Sequence, residues 1–284
     1  MKKLAILLLS FIASLTMLAN ISSNEKAALI KLNKATVGNQ WVSKWNLNEN
    51  VSTWYGVKIE NNKVVGLELP DNNLSGELPN EIGMLVYLKS LNLFKNNISG
   101  VIPSTIGNLK ELTKLNLSFN KISGSIPLSL CNAIALQSLE LYMNRISGQI
   151  PTEIGNLKKL QTLSLFNNEL EGQIPTSIYS IKPLKVLLLS SNKLTGKLER
   201  EVANLTSLEN LSLFENNIQG QVPFDLEKLK NLKEMNISYN MFNGFVSRNL
   251  AQLDSMNMTM INEKGLAVML NVRSEGNSVL ASED

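Results

Sequence analysis

Three kinds of side chain in this sequence could act on another molecule: one thiol, scattered carboxylates, and a series of aromatic rings at near-constant spacing. The thiol is Cys131, the only cysteine, so it can form neither an internal disulfide nor a thiolate cluster. Histidine is absent, which excludes Ser-His-Asp and Cys-His nucleophilic catalysis and imidazole metal sites. Lys plus Arg number 27 against 24 Asp plus Glu, a net charge of +3. Two of those lysines, Lys2 and Lys3, sit in a leader, so the excess left is too small for a protein that neutralises nucleic-acid phosphates. Neither catalysis, a metal nor a cofactor is expected. The rings remain: Phe94, Phe119, Tyr142, Phe166, Phe214 and Tyr239.

The elements that position them follow from a period of 24. Asn recurs at 72, 96, 120, 144, 168, 192, 216 and 240, and Gly follows each four residues later. Paired apolar residues, such as Leu91 and Leu93, lie five and three residues before each Asn; the last pair is Met235 and Ile237. Pro stands three after the Gly in six units and is replaced by Glu199 and Ser247 in the other two. The alternation in L-x-L sends the leucines to one face of a short strand and the intervening residues to the other. The Asn carboxamide both donates and accepts, so Asn72, Asn96, Asn120, Asn144, Asn168, Asn192, Asn216 and Asn240 are expected to form a ladder satisfying backbone groups where the chain leaves each strand. Gly permits the turn and Pro fixes the bend. No unit can bury its leucines alone, so stacked units share one continuous core, a quasi-one-dimensional solenoid.

The unit L-x-x-L-x-L-x-x-N-x-(L/I)-x-G-x-(I/L/V)-P resembles the leucine-rich repeat of the plant-type class. Ile-Gly-Asn-Leu at 106–109 and 154–157 and Leu-Ser-Gly at 74–76 carry the likeness. It extends to a cap segment, Trp54-Tyr55-Gly56-Val57 followed by Val64-Val65-Gly66-Leu67. Ser52 and Ile59 stand where plant members usually have two cysteines, a departure that, with the short Lys-Lys leader, suggests a bacterial version. The resemblance implies an α/β fold: a right-handed, curved solenoid with a parallel sheet on the concave face, short 3-10 turns on the convex face, a helical N-terminal cap and a β-hairpin C-terminal cap. It also implies a non-catalytic recognition module; polygalacturonase-inhibitor-type relatives and structural adhesins are the alternatives.

The ends complete the expected organisation. Residues 1–19 read as a signal peptide, with Lys2-Lys3 before an apolar run from Leu4 to Ala19 that is shorter than the roughly 20 residues needed to span a bilayer. The expected location is outside the cell: secreted, on the surface, or in the periplasm. Residues 20–63 form the N-terminal cap, with Ser22-x-x-Glu25 as a capping box opening a helix that runs to Thr36. Trp41, Trp45 and Trp54 could stack a sugar or cover the first repeat, and the covering role is favoured. Eight repeats fill 64–252. Alternating Met256, Met258, Met260 and Leu266, Val268, Leu270, Val272 predict a hairpin in a cap over 253–273, followed by a loose polar tail at 274–284.

On such a solenoid the concave strand face is the expected binding surface. Eight strands about 4.8 Å apart offer roughly 35–40 Å of it. Aromatic residues recurring there suit a protein or glycan partner bound by a monomer. Repeat six reads Val186-Leu187-Leu188-Leu189, so Val186 and Leu188 face outward. With Phe166 and Phe214 they predict an apolar patch over repeats five to seven. Glu68 and Glu140 share a column but lie three strands apart, beyond the reach of paired acid–base catalysis. Cys131 takes a slot that is Gly107 or Gly155 in other units and is expected to be a small packed residue.

Overall fold

The computed structural model describes residues 21–254, 256 and 258–272; the signal segment and the polar tail lie outside them. One strand per repeat builds a nine-stranded sheet. It opens with an antiparallel pair, Val57–Glu60 against Lys63–Glu68. Parallel strands follow in chain order at Ser90–Asn92, Lys114–Asn116, Ser138–Glu140, Thr162–Ser164, Val186–Leu188, Asn210–Ser212 and Glu234–Asn236. The register is the sequence period itself: Leu91 opposes Leu67 and Leu115, and Leu187 opposes Leu163 and Leu211. All of these leucines are buried in a core that runs the length of the solenoid.

Opposite the sheet, seven short 3-10 helices carry the chain back, from Asn80–Met84 to Phe224–Lys228. The residue preceding each has a carbonyl that accepts from the amide three residues on, as Pro79 does from Ile82 at 3.1 Å. Glu199 accepts from Val202 at the same distance, so a non-proline at that place still opens the turn. In repeat eight Ser247 accepts from the Leu250 amide and opens an α-helix, α2 (Arg248–Leu253), instead.

The asparagines tie coil to coil through backbone groups. Asn168 donates to the carbonyls of Leu165 in its own repeat and Leu141 in the preceding one, each at 3.0 Å, and accepts from the Ile146 amide at 3.0 Å. Asn120, Asn144, Asn192, Asn216 and Asn240 repeat the pattern, and Asn96 adds a second acceptance, from the Asn72 amide. Asn72 turns to the cap, accepting from the Ser43 amide at 2.6 Å.

Each end is sealed by a buried carboxylate. Helix α1 (Ser23–Ala35) begins with the capping box of Ser22 and Glu25, and Glu25 reaches on to accept from the Val64 amide at 2.9 Å. At the other end Asp254 accepts from the Ile237 amide at 2.8 Å and the Ser238 hydroxyl at 2.9 Å. Neither role was visible in the repeat pattern. The tryptophans cover the first coil: all three are buried, Trp45 stacks on Trp54 at 4.8 Å, and each indole N–H donates to a backbone carbonyl. The hairpin joins Thr259–Ile261 to Ala267–Met269. Met258 and Met260 are buried beneath it, while Leu266, Val268 and Met269 stay exposed.

Two features went unread in the sequence. A second set of parallel strands lies along the flank after the asparagines, four of them in one sheet from Ser123–Gly124 to Lys193–Thr195. The residue before each Asn is left-handed: Asp71, Lys95, Phe119, Met143, Asn167, Ser191, Glu215 and Tyr239 have φ between +49° and +57°.

Candidate functional site

The concave face is built from four columns of side chains: the residues before and between each pair of leucines, and the two that follow. Strand alternation aims the first three columns away from the core. The left-handed turn at the fourth brings Phe119 and Tyr239 alongside, so that ring-bearing side chains arise from two adjacent backbone positions.

The structure sorts the rings into two groups. Phe94, Phe119 and Tyr142 pack edge to face or tilted, with centroids 5.4 Å apart for Phe94 and Phe119 and 5.7 Å for Phe119 and Tyr142. Tyr142 stacks on Phe166 at 4.5 Å with an interplanar angle of 10°. Phe214 pairs separately with Tyr239 at 5.2 Å. Ser190 of repeat six stands between the groups, its hydroxyl 2.6 Å from that of Ser212. Phe119 and Tyr239 are exposed, and Phe94, Tyr142, Phe166 and Phe214 half-buried.

Val186 and Leu188 are half-buried on the strand between the groups, where Leu188 opposes Ser164 and Ser212. The larger group of ring contacts spans repeats two to five. Leucine pairing carries no information on which neighbouring rings touch, since that depends on rotamers across strands.

The face carries charge as well. Glu140 accepts from the Ser138 hydroxyl at 2.9 Å and the Asn116 amide at 3.2 Å; Glu68 accepts from Ser90. Burial, and then the charge of Glu140, push the Tyr142 phenol above its ordinary value. Cys131 is buried on the outer flank, where desolvation raises its thiol to about 11, so it is inert at neutral pH. Among the described residues, no helix is long and apolar enough to cross a membrane.

Comparison with known proteins agrees with this geometry. A family model described as a leucine-rich repeat region matches residues 119–262, half of the chain, and a leucine-rich repeat model matches 87–109. Leucine-rich repeat protein FLOR 1 of Arabidopsis thaliana is 35% identical over 72 residues, 25% of this chain and 22% of its own length. The ectodomain of the Arabidopsis thaliana receptor kinase GASSHO1/SCHENGEN3, in complex with CASPARIAN STRIP INTEGRITY FACTOR 2, superposes with a TM-score of 0.77 at 28% identity. That match covers 87% of this chain and 30% of the receptor chain. PEPR1–AtPEP1 gives a TM-score of 0.71 at 28% identity over 89% and 42%. A plant ice-binding protein gives 0.70 at 28% identity over 86% and 79%. The chain thus spans less than half the length of FLOR 1, of GASSHO1/SCHENGEN3 and of PEPR1. Repeat period, stacked parallel sheet and family match lead to one conclusion: the chain belongs to the leucine-rich repeat family, in its plant-type class.

Proposed function

We propose that this protein is an exported, non-catalytic recognition module that holds an extended segment of a protein partner along its concave face. The observation that carries the reading is the run of touching rings from Phe94 to Phe166 on that face. Rigid aromatic side chains bury much area at little entropic cost and are enriched at protein-binding hot spots. The complexes of GASSHO1/SCHENGEN3 with CASPARIAN STRIP INTEGRITY FACTOR 2 and of PEPR1 with AtPEP1 support a ligand-binding role for a similar solenoid. A glycan is the competing ligand. Sugar rings stack on open aromatic faces, but Tyr142 and Phe166 turn theirs toward each other. Ring edges are the positive part of the quadrupole and suit peptide carbonyl oxygens.

Affinity capture from culture medium with the chain lacking residues 1–19 tests the reading, with Phe119→Glu as a matched bait. A protein retained by the wild type and lost from the variant is expected. Retention of the same protein by both baits moves the site off this face, and binding on a glycan array lost in Phe119→Glu favours the competing ligand.

A further inference from the structure

Among the described residues, three buried side-chain oxygens have no hydrogen-bond partner: those of Ser118, Ser164 and Tyr179. Tyr179 lies on the outer flank within the turn Thr176–Ser180. The other two lie on the concave face, within the region the rings cover. Buried hydroxyls are ordinarily satisfied, because desolvation without a partner is costly. The other serines of these two columns obey that rule: Ser190 bonds Ser212, and Ser238 bonds Asp254.

The rings explain the burial. Phe94 and Tyr142 belong to one column, two strands apart, a backbone spacing of about 9.6 Å. Their centroids are 6.5 Å apart, so they lean together across Ser118, which is fully buried between their strands. The Tyr142 phenol lies near the Ser118 hydroxyl without the geometry of a hydrogen bond. Ser164 sits between Glu140 and Leu188 on neighbouring strands, two residues before Phe166 on the same face, and is 3% exposed. Two rings lean over Ser118, and among the described residues neither hydroxyl has a hydrogen-bond partner.

Resting on the concave-face reading above, we propose that the Phe94–Phe166 cluster is the closed form of a peptide subsite: the rings part to admit an apolar side chain, and the Ser118 and Ser164 hydroxyls bond main-chain amide groups of the extended peptide. A hydroxyl oxygen with free lone pairs accepts from an amide N–H. The main chain is the ligand group that an extended peptide presents at every residue. Opening would then exchange unsatisfied hydroxyls for bonded ones. In the unbound protein the two serines contribute nothing that alanine would not.

A random peptide library displayed on phage, panned on the full chain, supplies the probe. Enriched peptides are then titrated against wild type, Ser118→Ala, Ser164→Ala and Phe119→Glu, with urea unfolding of each. The expected result is that both alanine variants keep or raise the unfolding midpoint yet lose roughly tenfold in peptide affinity, about the worth of one hydrogen bond. Methylation of the bonded backbone nitrogen of the peptide should weaken wild type and leave the alanine variant unaffected. Equal affinity of wild type and both alanine variants, with loss in Phe119→Glu, overturns this inference and leaves the concave-face reading standing. A lowered unfolding midpoint in the alanine variants also overturns it, since the hydroxyls would then be satisfied in the unbound protein. Peptides indifferent to Phe119→Glu, or no enriched peptide, bring down both.

Discussion

A single asparagine here does the work of several backbone partners. Asn168 bonds three carbonyls and one amide across two coils, and it is 9% exposed, so water has little access to groups it would leave behind. Each buried group left unsatisfied costs about 1–3 kcal/mol. Asn168→Ala is therefore expected to lower unfolding free energy by roughly 3–5 kcal/mol in urea titration, and a loss below about 1 kcal/mol would show that the backbone finds other partners. The Asn column was legible from residue type and spacing, because only a side chain with both donor and acceptor fits a recurring strand exit. The residue before each Asn was not. Phe119 and Tyr239 hold a left-handed backbone that favours Gly or Asn, so their identities point away from the conformation they adopt. Tertiary bonding imposes it: the Phe119 amide donates to the Tyr142 carbonyl at 3.0 Å, and the Asn120 amide to that of Met143 at 3.2 Å.

At the level of elements, the strands and turns follow the repeat, while the ends answer to different physics. A parallel sheet leaves unpaired backbone groups at its first and last strands. Glu25 from α1 reaches the second strand at Val64, and Asp254 after α2 reaches Ile237 just past the last strand, each with a buried carboxylate. Asp254→Ala removes the acceptor for Ile237, Met256 and the Ser238 hydroxyl together. The expected outcome is early hydrogen exchange confined to residues after about 234, with repeats one to six still protected, because coils in a solenoid contact only their neighbours. Uniform loss of protection along the chain would contradict that local coupling. Neither carboxylate could be found by period, since each occurs once and lies in a segment outside the pattern. The inner strand of repeat six supplies a second prediction. Leu188 is half-buried next to Ser164, so Leu188→Glu should fold with a loss of about 1 kcal/mol. Its affinity for the captured partner should fall tenfold or more. Unchanged affinity in the folded variant would remove repeat six from the site.

The described residues form one continuous apolar core with the nine-stranded sheet on one face and short turns on the other, and the chain has one cysteine and no histidine. Its stability should therefore be flat across neutral pH. Histidine is the side chain that ordinarily titrates between pH 5 and 8, and the one thiol is raised to about 11. In acid the sign is set by depressed carboxyls. Asp225 is lowered by hydrogen bonding to Lys228, and Glu209 by hydrogen bonding to Lys233, so their contribution is present at neutral pH and lost as pH falls through their folded-state values. Both carboxyls are half-buried but their lysine partners are exposed, which keeps that loss small. Urea midpoints constant from pH 5 to 8 are expected; a step within that window would contradict this view. The solenoid and its concave face could be read from the period alone. The division of the rings at Ser190 could not, because contacts between strands are decided by rotamers rather than by spacing. The most direct test is hydroxyl-radical footprinting of the captured complex. Protection of Phe119, Tyr142 and Phe166 is predicted, with exposed residues of the outer face, Leu128 and Ile134, unchanged; protection of Leu128 and Ile134 with the concave rings still reactive would contradict the account.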